Sequence, residues 1–327
     1  MRYISDLHDG ERLVDFYLCK TRQTFQSKAG KNYLSLTLQD KTGTINAKVW
    51  DLSNAIQSFE AGDFIKIDAL VQTYQNVLQL NVHKIRKANE GEYDPADYIP
   101  TTDQNIEELL KKLDEYIDNT KNKYLKELLI NVFRKHPVIS KKFKTHTAAK
   151  SMHHNYLGGL LEHTISVTEL CDFFSTHYTS VDRDLLISTA LLHDVGKIIE
   201  LTDFPSIDYT DEGELLGHIV MGAELIGEEA DKIEGFPMQL KLLVKHSILA
   251  HHGEFEYGSP KLPKTIEAFL LHVADDTDAK ERMFEDIIQS DNTNGAWAGY
   301  NKVLMRNIRK TTYEDMQNDK TNGFEKK

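Results

Sequence analysis

The chain has 327 residues and a formal net charge of −12, with 40% hydrophobic and 28% charged residues. This composition is typical of a folded globular protein and excludes an intrinsically disordered one. The apolar runs are shorter than the roughly 20 residues that a membrane-spanning helix needs, so no membrane segment is expected. The first residues become polar at once, and we therefore expect no secretory signal peptide.

The chain contains two cysteines, Cys19 and Cys171, which lie far apart in the sequence. This usage predicts buried free thiols in the reducing cytoplasm and not a disulfide framework. No Cys-x-x-Cys pair occurs, so a sulfur-ligated zinc site is not expected.

The charge is unevenly distributed along the chain. Residues 1–89 carry 12 Lys/Arg and 9 Asp/Glu, an excess of three positive charges, so the remainder carries an excess of 15 negative charges. Such asymmetry indicates segments with different roles, and the length favours two domains. A basic part beside an acidic part fits an enzyme with an anionic substrate, although drift of surface charge would give the same numbers.

Residues 1–89 have the alternating apolar and polar pattern of β-strands. A short helix is expected over 52–59. Five strands with a helix between the third and fourth is the order of an OB-fold barrel. The predicted strands cover 14–19 continuing through 23–25, 33–38, 44–50, 64–71 and 77–82.

OB-fold barrels bind single strands by stacking bases on exposed aromatic rings beside basic groups. Each aromatic ring in this segment could instead belong to the barrel core. The candidate nucleic-acid-binding residues in the barrel are Phe25, Tyr33, Lys48, Trp50 and Tyr74.

Two prolines, a glycine and acidic residues over 90–104 predict a linker, with Thr102 or Asp103 as the cap of the following helix. From there to residue 310 the apolar period is helical, which predicts an all-α bundle. The polar tail over 311–327 is expected to be flexible. The main helices are expected near 157–177, 184–200, 214–231, 237–252, 264–288 and 295–309.

The apolar stripes of these helices also carry imidazole and carboxylate groups. A single buried histidine is usually a hydrogen-bonded core residue, but an inward aspartate is costly unless it is paired or bound to metal. Helix bundles build metal sites from side chains on facing helices, and nitrogen with oxygen ligands suits Mn, Fe, Co or Zn. The candidate ligands are His163, His193, Asp194, His218, His251 and Asp275.

The run His193-Asp194-Val195-Gly196-Lys197 resembles the signature of the HD-domain metal-dependent phosphohydrolases. The resemblance implies that one metal takes His163, His193, Asp194 and Asp275. The additional His218 and His251 are similar to those of the subset that holds two metals, with Asp194 as the bridge. His252 follows His251 directly, so the choice between them stays open, and we prefer His251 as the ligand.

The segment from Met152 to His163, read MHHNYLGGLLEH, is similar to that of the YhaM family of 3′→5′ exoribonucleases, which also has an OB-fold before the HD domain. The resemblance implies two divalent ions, Mn²⁺ in preference to Co²⁺, Fe²⁺ or Zn²⁺, and single-stranded RNA or also DNA as partner. Asp194, Lys197 and His252 are the expected catalytic residues, and His153 and His154 are expected to contact the terminal nucleotide. Lys197 could instead be a helix-end lysine that complements the dipole.

Two other functions compete with this interpretation. An HD domain could hydrolyse nucleotides or cyclic dinucleotides, although a small soluble substrate needs no strand-binding barrel. The chain could also be a nucleic-acid-binding protein with a non-catalytic HD domain, although a degenerate site usually lacks a ligand. A homo-oligomer is compatible with all of these functions.

Overall fold

The computed structural model describes residues 1–27, 30–52, 58–74, 77–94, 97–98, 101–102, 104–148, 156–203, 207–291 and 295–311. It has an N-terminal β-barrel followed by a helical domain, as the sequence predicts. The expected helix over 52–59 and the expected tail over 311–327 fall largely outside the described residues. Among the described helices, none combines the length and the apolarity required to cross a bilayer.

Five strands close the barrel in the order β1-β2-β3-β5-β4, with β3 and β5 parallel and the other pairs antiparallel. Along β2, β3 and most of β4, alternate residues enter the barrel core, because successive side chains point to opposite faces of a strand. The strands are β1 (Arg12–Gln26), β2 (Asn32–Asp40), β3 (Gly43–Val49), β4 (Phe64–Tyr74) and β5 (Val77–Lys87).

The first strand is longer than the sequence indicates, because the two expected stretches are one continuous β1. A shift in register between Cys19 and Thr21 divides it into two halves. Residues 12–18 pair with β4 and residues 18–26 pair with β2, so this single strand connects two sides of the barrel.

Part of the predicted linker packs against the barrel. Tyr98 is buried in a small cluster with Leu18 and Phe64, and Tyr93 stacks on Phe64 with ring centroids 4.0 Å apart. The Gln39 side-chain amide also donates a hydrogen bond to the Tyr98 carbonyl. These contacts extend the barrel core beyond the last strand.

The helical domain packs around a single core. The cap of its first helix is Asn105, whose side chain accepts from the Glu107 N–H, and not Thr102; Asp103 lies outside the described residues. The helices are α1 (Ile106–Asn119), α2 (Lys123–Ile130), α3 (Ile139–Lys142), α4 (Gly159–His177), α5 (Arg183–Leu192), α6 (Lys197–Glu200), α7 (Asp211–Asp231), α8 (Met238–Ala250) and α9 (Ile266–Ser290).

Two helix predictions need correction. The helix expected over 184–200 is divided into α5 and α6 by a turn over 193–196. The helix expected over 295–309 is a hairpin of β6 (Trp297–Asn301) and β7 (Arg306–Arg309). In the hairpin the Asn301 side chain accepts from two backbone N–H groups ahead of it, and this local turn competes with a helix.

Candidate metal centre and nucleic-acid surface

His163 on α4 is buried, and both of its ring nitrogens have acidic neighbours. Its Nδ1 donates to Asp278 Oδ2 at 2.7 Å, and the Ser166 hydroxyl donates to the other oxygen of Asp278. Its Nε2 faces the interior of the site, 3.2 Å from Asp275 Oδ1 on α9. The bond at Nδ1 therefore orients the ring so that Nε2 is the nitrogen directed at the site.

His193 and Asp194 lie in the turn between α5 and α6 and are both fully buried. His193 Nδ1 donates to the Ala190 carbonyl at 2.7 Å, which leaves Nε2 directed at the site. This Nε2 lies 3.3 Å from His163 Nε2 and 3.5 Å from Asp194 Oδ2. The expected first set therefore converges, and ligand atoms of His163, His193 and Asp275 lie within 4.8 Å of one another.

A second group of imidazoles lies on the other side of the same aspartate. The Nε2 atoms of His218 and His251 are 3.5 Å and 3.7 Å from Asp194 Oδ1, the oxygen that the first group does not approach. His252 also belongs to this group, because ligand atoms of all three histidines lie within 4.8 Å of one another. The Nδ1 atoms of His251 and His252 bond to the carbonyls of Ile248 and Tyr257, so Nε2 is again the inward atom.

Three buried polar atoms of this centre have no hydrogen-bond partner among the described residues: Asp194 Oδ1, His218 Nε2 and His251 Nε2. A buried unpaired polar atom costs free energy, so a cluster of three requires a compensating group. Imidazole nitrogens and a carboxylate oxygen form a donor set that suits a divalent transition ion. The residues present therefore fit a metal site.

The pKa values of the ligands are shifted by burial and by their neighbours. Burial alone would lower the pKa of His163, but hydrogen bonds to Asp275 and Asp278 outweigh it and raise the pKa to about 10. Burial lowers the pKa of His193 and, more strongly, that of His251, and these rings stay neutral at pH 7. A neutral ring keeps the lone pair that a metal requires, so a metal at His163 would have to displace the proton from its Nε2.

The acidic ligand Asp194 stays ionised in the same buried environment. Burial opposes ionisation, but the Lys197 ammonium outweighs it and holds the pKa well below its usual range. Lys197 is the first residue of α6, and its Nζ lies 2.6 Å from Asp194 Oδ2. Lys197 therefore pairs with the carboxylate of Asp194, a contact that neither of its two expected roles included.

Two carboxylates of this centre were not predicted from the sequence. Asp278 holds His163, and Glu200 Oε1 accepts from the His218 ring at 3.0 Å. Asp278 lies three residues after Asp275 on α9, so helical spacing could have placed it on the same face. Glu200 had no such signal, because its position depends on the break between α5 and α6.

Glycine allows the turn that carries the signature to approach α7 closely. A Cβ at Gly196 would lie 2.1 Å from the His218 carbonyl oxygen and 2.8 Å from the Gly222 nitrogen. No side chain fits at those distances, so glycine brings His193 and Asp194 close to His218.

Four of the candidate nucleic-acid-binding residues lie together on one face of the barrel. Phe25 is the register partner of Tyr33, and Trp50 follows β3 opposite Tyr33. The rings of Phe25 and Tyr33 stack at 5.9 Å and those of Tyr33 and Trp50 at 4.5 Å, with Lys48 Nζ 5.7 Å from the Tyr33 ring. Phe25 and Trp50 are 44% and 52% exposed, so this aromatic ladder is not core.

The other three candidates do not join the ladder. Tyr74 is exposed at the end of β4 and makes no ring contact with the ladder among the residues that the structure describes. His153 and His154 lie outside the described residues, so their expected contact with a terminal nucleotide stays a prediction.

Two known domain families match this chain. Residues 160–280 match the HD domain, and residues 19–88 match the family described as an OB-fold nucleic acid binding domain. The first match contains every candidate metal ligand, and the second contains the aromatic ladder. The chain therefore combines an OB-fold nucleic-acid-binding domain with an HD domain, the domain of metal-dependent phosphohydrolases.

Solved structures similar to this chain include the second OB-fold domain of replication protein A from Methanococcus maripaludis, 20% identical over 28% of this chain and 98% of that one, with a TM-score of 0.23. A replication protein A heterotrimer bound to ssDNA is 14% identical over 27% of this chain and 64% of that one, with a TM-score of 0.20. An aspartyl tRNA synthetase from Entamoeba histolytica is 12% identical over 72% of this chain and 55% of that one, with a TM-score of 0.20.

Proposed function

We propose that this protein is a metal-dependent 3′→5′ exoribonuclease of the YhaM type, which shortens single-stranded RNA and also accepts single-stranded DNA. The observation that carries the proposal is the position of Asp194. Its Oδ2 faces His163 and His193 while its Oδ1 faces His218 and His251, as expected for a carboxylate that bridges two ions. Paired ions of this kind are typical of enzymes that cleave phosphodiesters.

Two divalent ions at this centre, Mn²⁺ in our proposal, supply Lewis acidity towards the scissile phosphate and the attacking water. Asp194 would hold both ions through its two oxygens, and Lys197 offsets the charge of this carboxylate. We propose that the Lys197 ammonium also neutralises a phosphate oxygen of the substrate. His252 completes the second group or contacts the phosphate. Water attacks the phosphorus of the last linkage, the bond to the upstream O3′ breaks, and a nucleoside 5′-monophosphate is released.

The barrel favours a polymeric substrate over a small one. The ladder of Phe25, Tyr33 and Trp50 presents faces on which successive bases can stack, and stacking of this kind tolerates any sequence. Lys48 adds a cation beside the central ring, where it can meet the backbone phosphates. A nucleotide or cyclic dinucleotide would leave this surface unused, which favours a strand over a small substrate.

The proposal also includes the division of the chain into domains and its location in the cell. Residues 1–89 form the strand-binding domain, 90–104 the linker and 105–310 the catalytic domain. We place the protein in the cytoplasm, where its two cysteines stay reduced. Assembly into a homo-oligomer would bring several strand-binding barrels to one substrate.

A digestion of labelled oligonucleotides tests the activity. With Mn²⁺ present, a 5′-labelled RNA should give a ladder that shortens with time, while a 3′-labelled RNA should give labelled mononucleotide from the first time point. A chelator should stop both reactions. A nucleotide panel in parallel identifies the competing small-substrate activity, and internal fragments from the start would contradict the exonuclease.

Asp194→Asn is the matched variant for this digestion. Loss of the bridging charge should remove metal and abolish hydrolysis, while single-strand binding by the barrel remains within about twofold of the wild type. Turnover by this variant with Mn²⁺ supplied would contradict the site assignment.

A further inference from the structure

Glu200 connects the signature segment with the second group of histidines. Its Oε1 accepts two hydrogen bonds from one residue, His218: one from the backbone N–H at 2.9 Å and one from the ring Nδ1 at 3.0 Å. Glu200 is 8% exposed, so both bonds lie largely away from water. One carboxylate oxygen therefore fixes the backbone and the ring of a candidate ligand together.

The backbone of α7 explains why His218 needs such a partner. Gly217 has φ +74° and ψ 157°, so the helix is interrupted there and begins again at His218. The first N–H groups of a helix have no intrahelical acceptor. Glu200 supplies that acceptor from outside the helix, and the ring of His218 is oriented by the same contact.

Glu200 is itself held in place by the start of α7. Its carbonyl accepts from the Thr210 N–H at 2.9 Å, and a Cβ at Gly213 would lie 2.3 Å from that carbonyl oxygen. Glu200 therefore lies in a segment whose backbone is held by a hydrogen bond and by close packing. Its distance to His218 is set by the packing of α6 against α7.

We propose that Glu200 is a positioning residue that sets the affinity of the ion at His218, His251 and Asp194 Oδ1, without acting on the ion at the first group. The proposal rests on the two-ion centre of the proposed function. Carboxylates that hold the second nitrogen of a ligating histidine typically contribute 10- to 100-fold to metal affinity. Asp278 has the corresponding contact with His163, so each group has its own carboxylate.

The test measures metal binding and not activity. Purified full-length protein is stripped of metal and titrated with Mn²⁺ by calorimetry, and the ions retained per chain are counted by mass spectrometry. The variants are Glu200→Gln, which keeps an acceptor oxygen without the charge, and Asp278→Asn, which makes the same change at the first group. Glu229→Gln is the control, since Glu229 is a buried glutamate of α7 that pairs with Lys232.

The two ions are distinguished in a His218→Ala background, in which we expect only the first ion to be retained. In the otherwise wild-type protein we expect Glu200→Gln to weaken the binding of one of the two ions by 10- to 100-fold. In the His218→Ala background it should leave the Mn²⁺ affinity unchanged. Asp278→Asn should weaken the binding of the remaining ion in the His218→Ala background. Co²⁺ loading gives a second readout, because Glu200→Gln should change only the absorption that His218→Ala removes.

Each result has a separate consequence. Unchanged affinities in Glu200→Gln, or a weakened remaining ion in the His218→Ala background, would overturn the role of Glu200 and leave the two-ion centre standing. A single ion in the wild type at saturating Mn²⁺ would overturn the two-ion centre together with this role.

Discussion

The ammonium of Lys197 lies 2.6 Å from Asp194 Oδ2, the oxygen that also faces His163 and His193. The aspartate is buried, and the lysine side chain is only 17% exposed. The lysine therefore compensates a charge that is otherwise costly inside the domain whenever metal is absent. Its contribution to stability should depend on whether metal is bound.

We predict that Lys197→Met destabilises the metal-free protein by up to about 3–5 kcal/mol, since it removes the nearest cationic partner of a buried carboxylate. Saturating Mn²⁺ should reduce this loss, because bound ions compensate the same charge. Urea unfolding with and without Mn²⁺ measures both values. Lys142→Met is the control, because the Lys142–Asp203 pair has the same 2.6 Å separation but is exposed, and it should cost under about 1 kcal/mol. Equal losses with and without metal would contradict the prediction.

Several of the candidate ligands could be placed on an inward face from the sequence because they lie on the apolar stripe of a helix, as His163 does on α4, His218 on α7 and Asp275 on α9. Asp275 follows Ala268 and Leu271, which are buried on the same face of α9. Since periodicity places a residue on a face from local sequence alone, it predicted which side chains enter the bundle. The signature run over 193–197 then linked those side chains to one centre. In the structure the helices that carry them converge on that run.

The remaining features of the site depend on contacts between distant segments. The sequence from 184 to 200 is periodic enough to predict one helix, and nothing local shows that Gly196 must meet the His218 carbonyl. That approach accompanies the break between α5 and α6, and the break brings Glu200 to His218. The C-terminal hairpin was missed for a related reason, because the side-chain turn at Asn301 outweighs a short apolar period.

A substitution at Gly196 tests this close approach. In Gly196→Ala the new methyl group would lie 2.1 Å from the His218 carbonyl oxygen, so α7 must move. We expect a loss of about 1–3 kcal/mol in the free energy of unfolding, as for other overpacked sites, with weaker binding of the ion at His218. Urea unfolding and Mn²⁺ titration measure the two effects.

Gly222→Ala is the matched control for this substitution. Gly222 lies on the opposite side of the same contact, but its Cβ would meet the Gly196 nitrogen at 3.5 Å, an ordinary distance. Alanine also favours a helix interior by up to about 1 kcal/mol over glycine. The control should be neutral or stabilising, and a loss equal to that of Gly196→Ala would refute the steric explanation.

The burial of the two cysteine thiols should make the free energy of unfolding depend on pH in the alkaline range. Burial raises the pKa of Cys19 to about 12 and raises that of Cys171 above its usual range. Above pH 9 the unfolded chain loses thiol protons that the folded chain keeps. Stability should therefore fall as pH rises from about 9 to 12, by at most about 1.4 kcal/mol per pH unit for each thiol.

Thiol titration and urea unfolding check this prediction. Native protein at pH 8 should react slowly with a disulfide reagent, and two thiols should appear on unfolding. A Cys19→Ala/Cys171→Ala variant should be less stable at neutral pH but show a smaller decline above pH 9. Rapid reaction of either thiol in the native protein would show that the burial is wrong.

The aromatic ladder predicts how strongly the barrel holds a strand. Stacking of a base on an aromatic ring contributes about 1–3 kcal/mol, so Tyr33→Ala and Trp50→Ala should each weaken binding of a single-stranded oligonucleotide by about 5- to 150-fold. Tyr33 stacks on both of its neighbours, so its loss should have the larger effect. Fluorescence anisotropy with a labelled strand measures the affinities.

Hydrolysis of a small chromogenic phosphodiester separates strand binding from catalysis in these variants. The rate should be unchanged, because the ladder lies on the barrel and the candidate metal ligands lie in the helical domain. Tyr300→Ala is the control for an exposed ring elsewhere, since Tyr300 on β6 is 62% exposed. If Tyr33→Ala binds the strand as well as Tyr300→Ala does, the strand is held by another surface and the role proposed for the ladder is wrong.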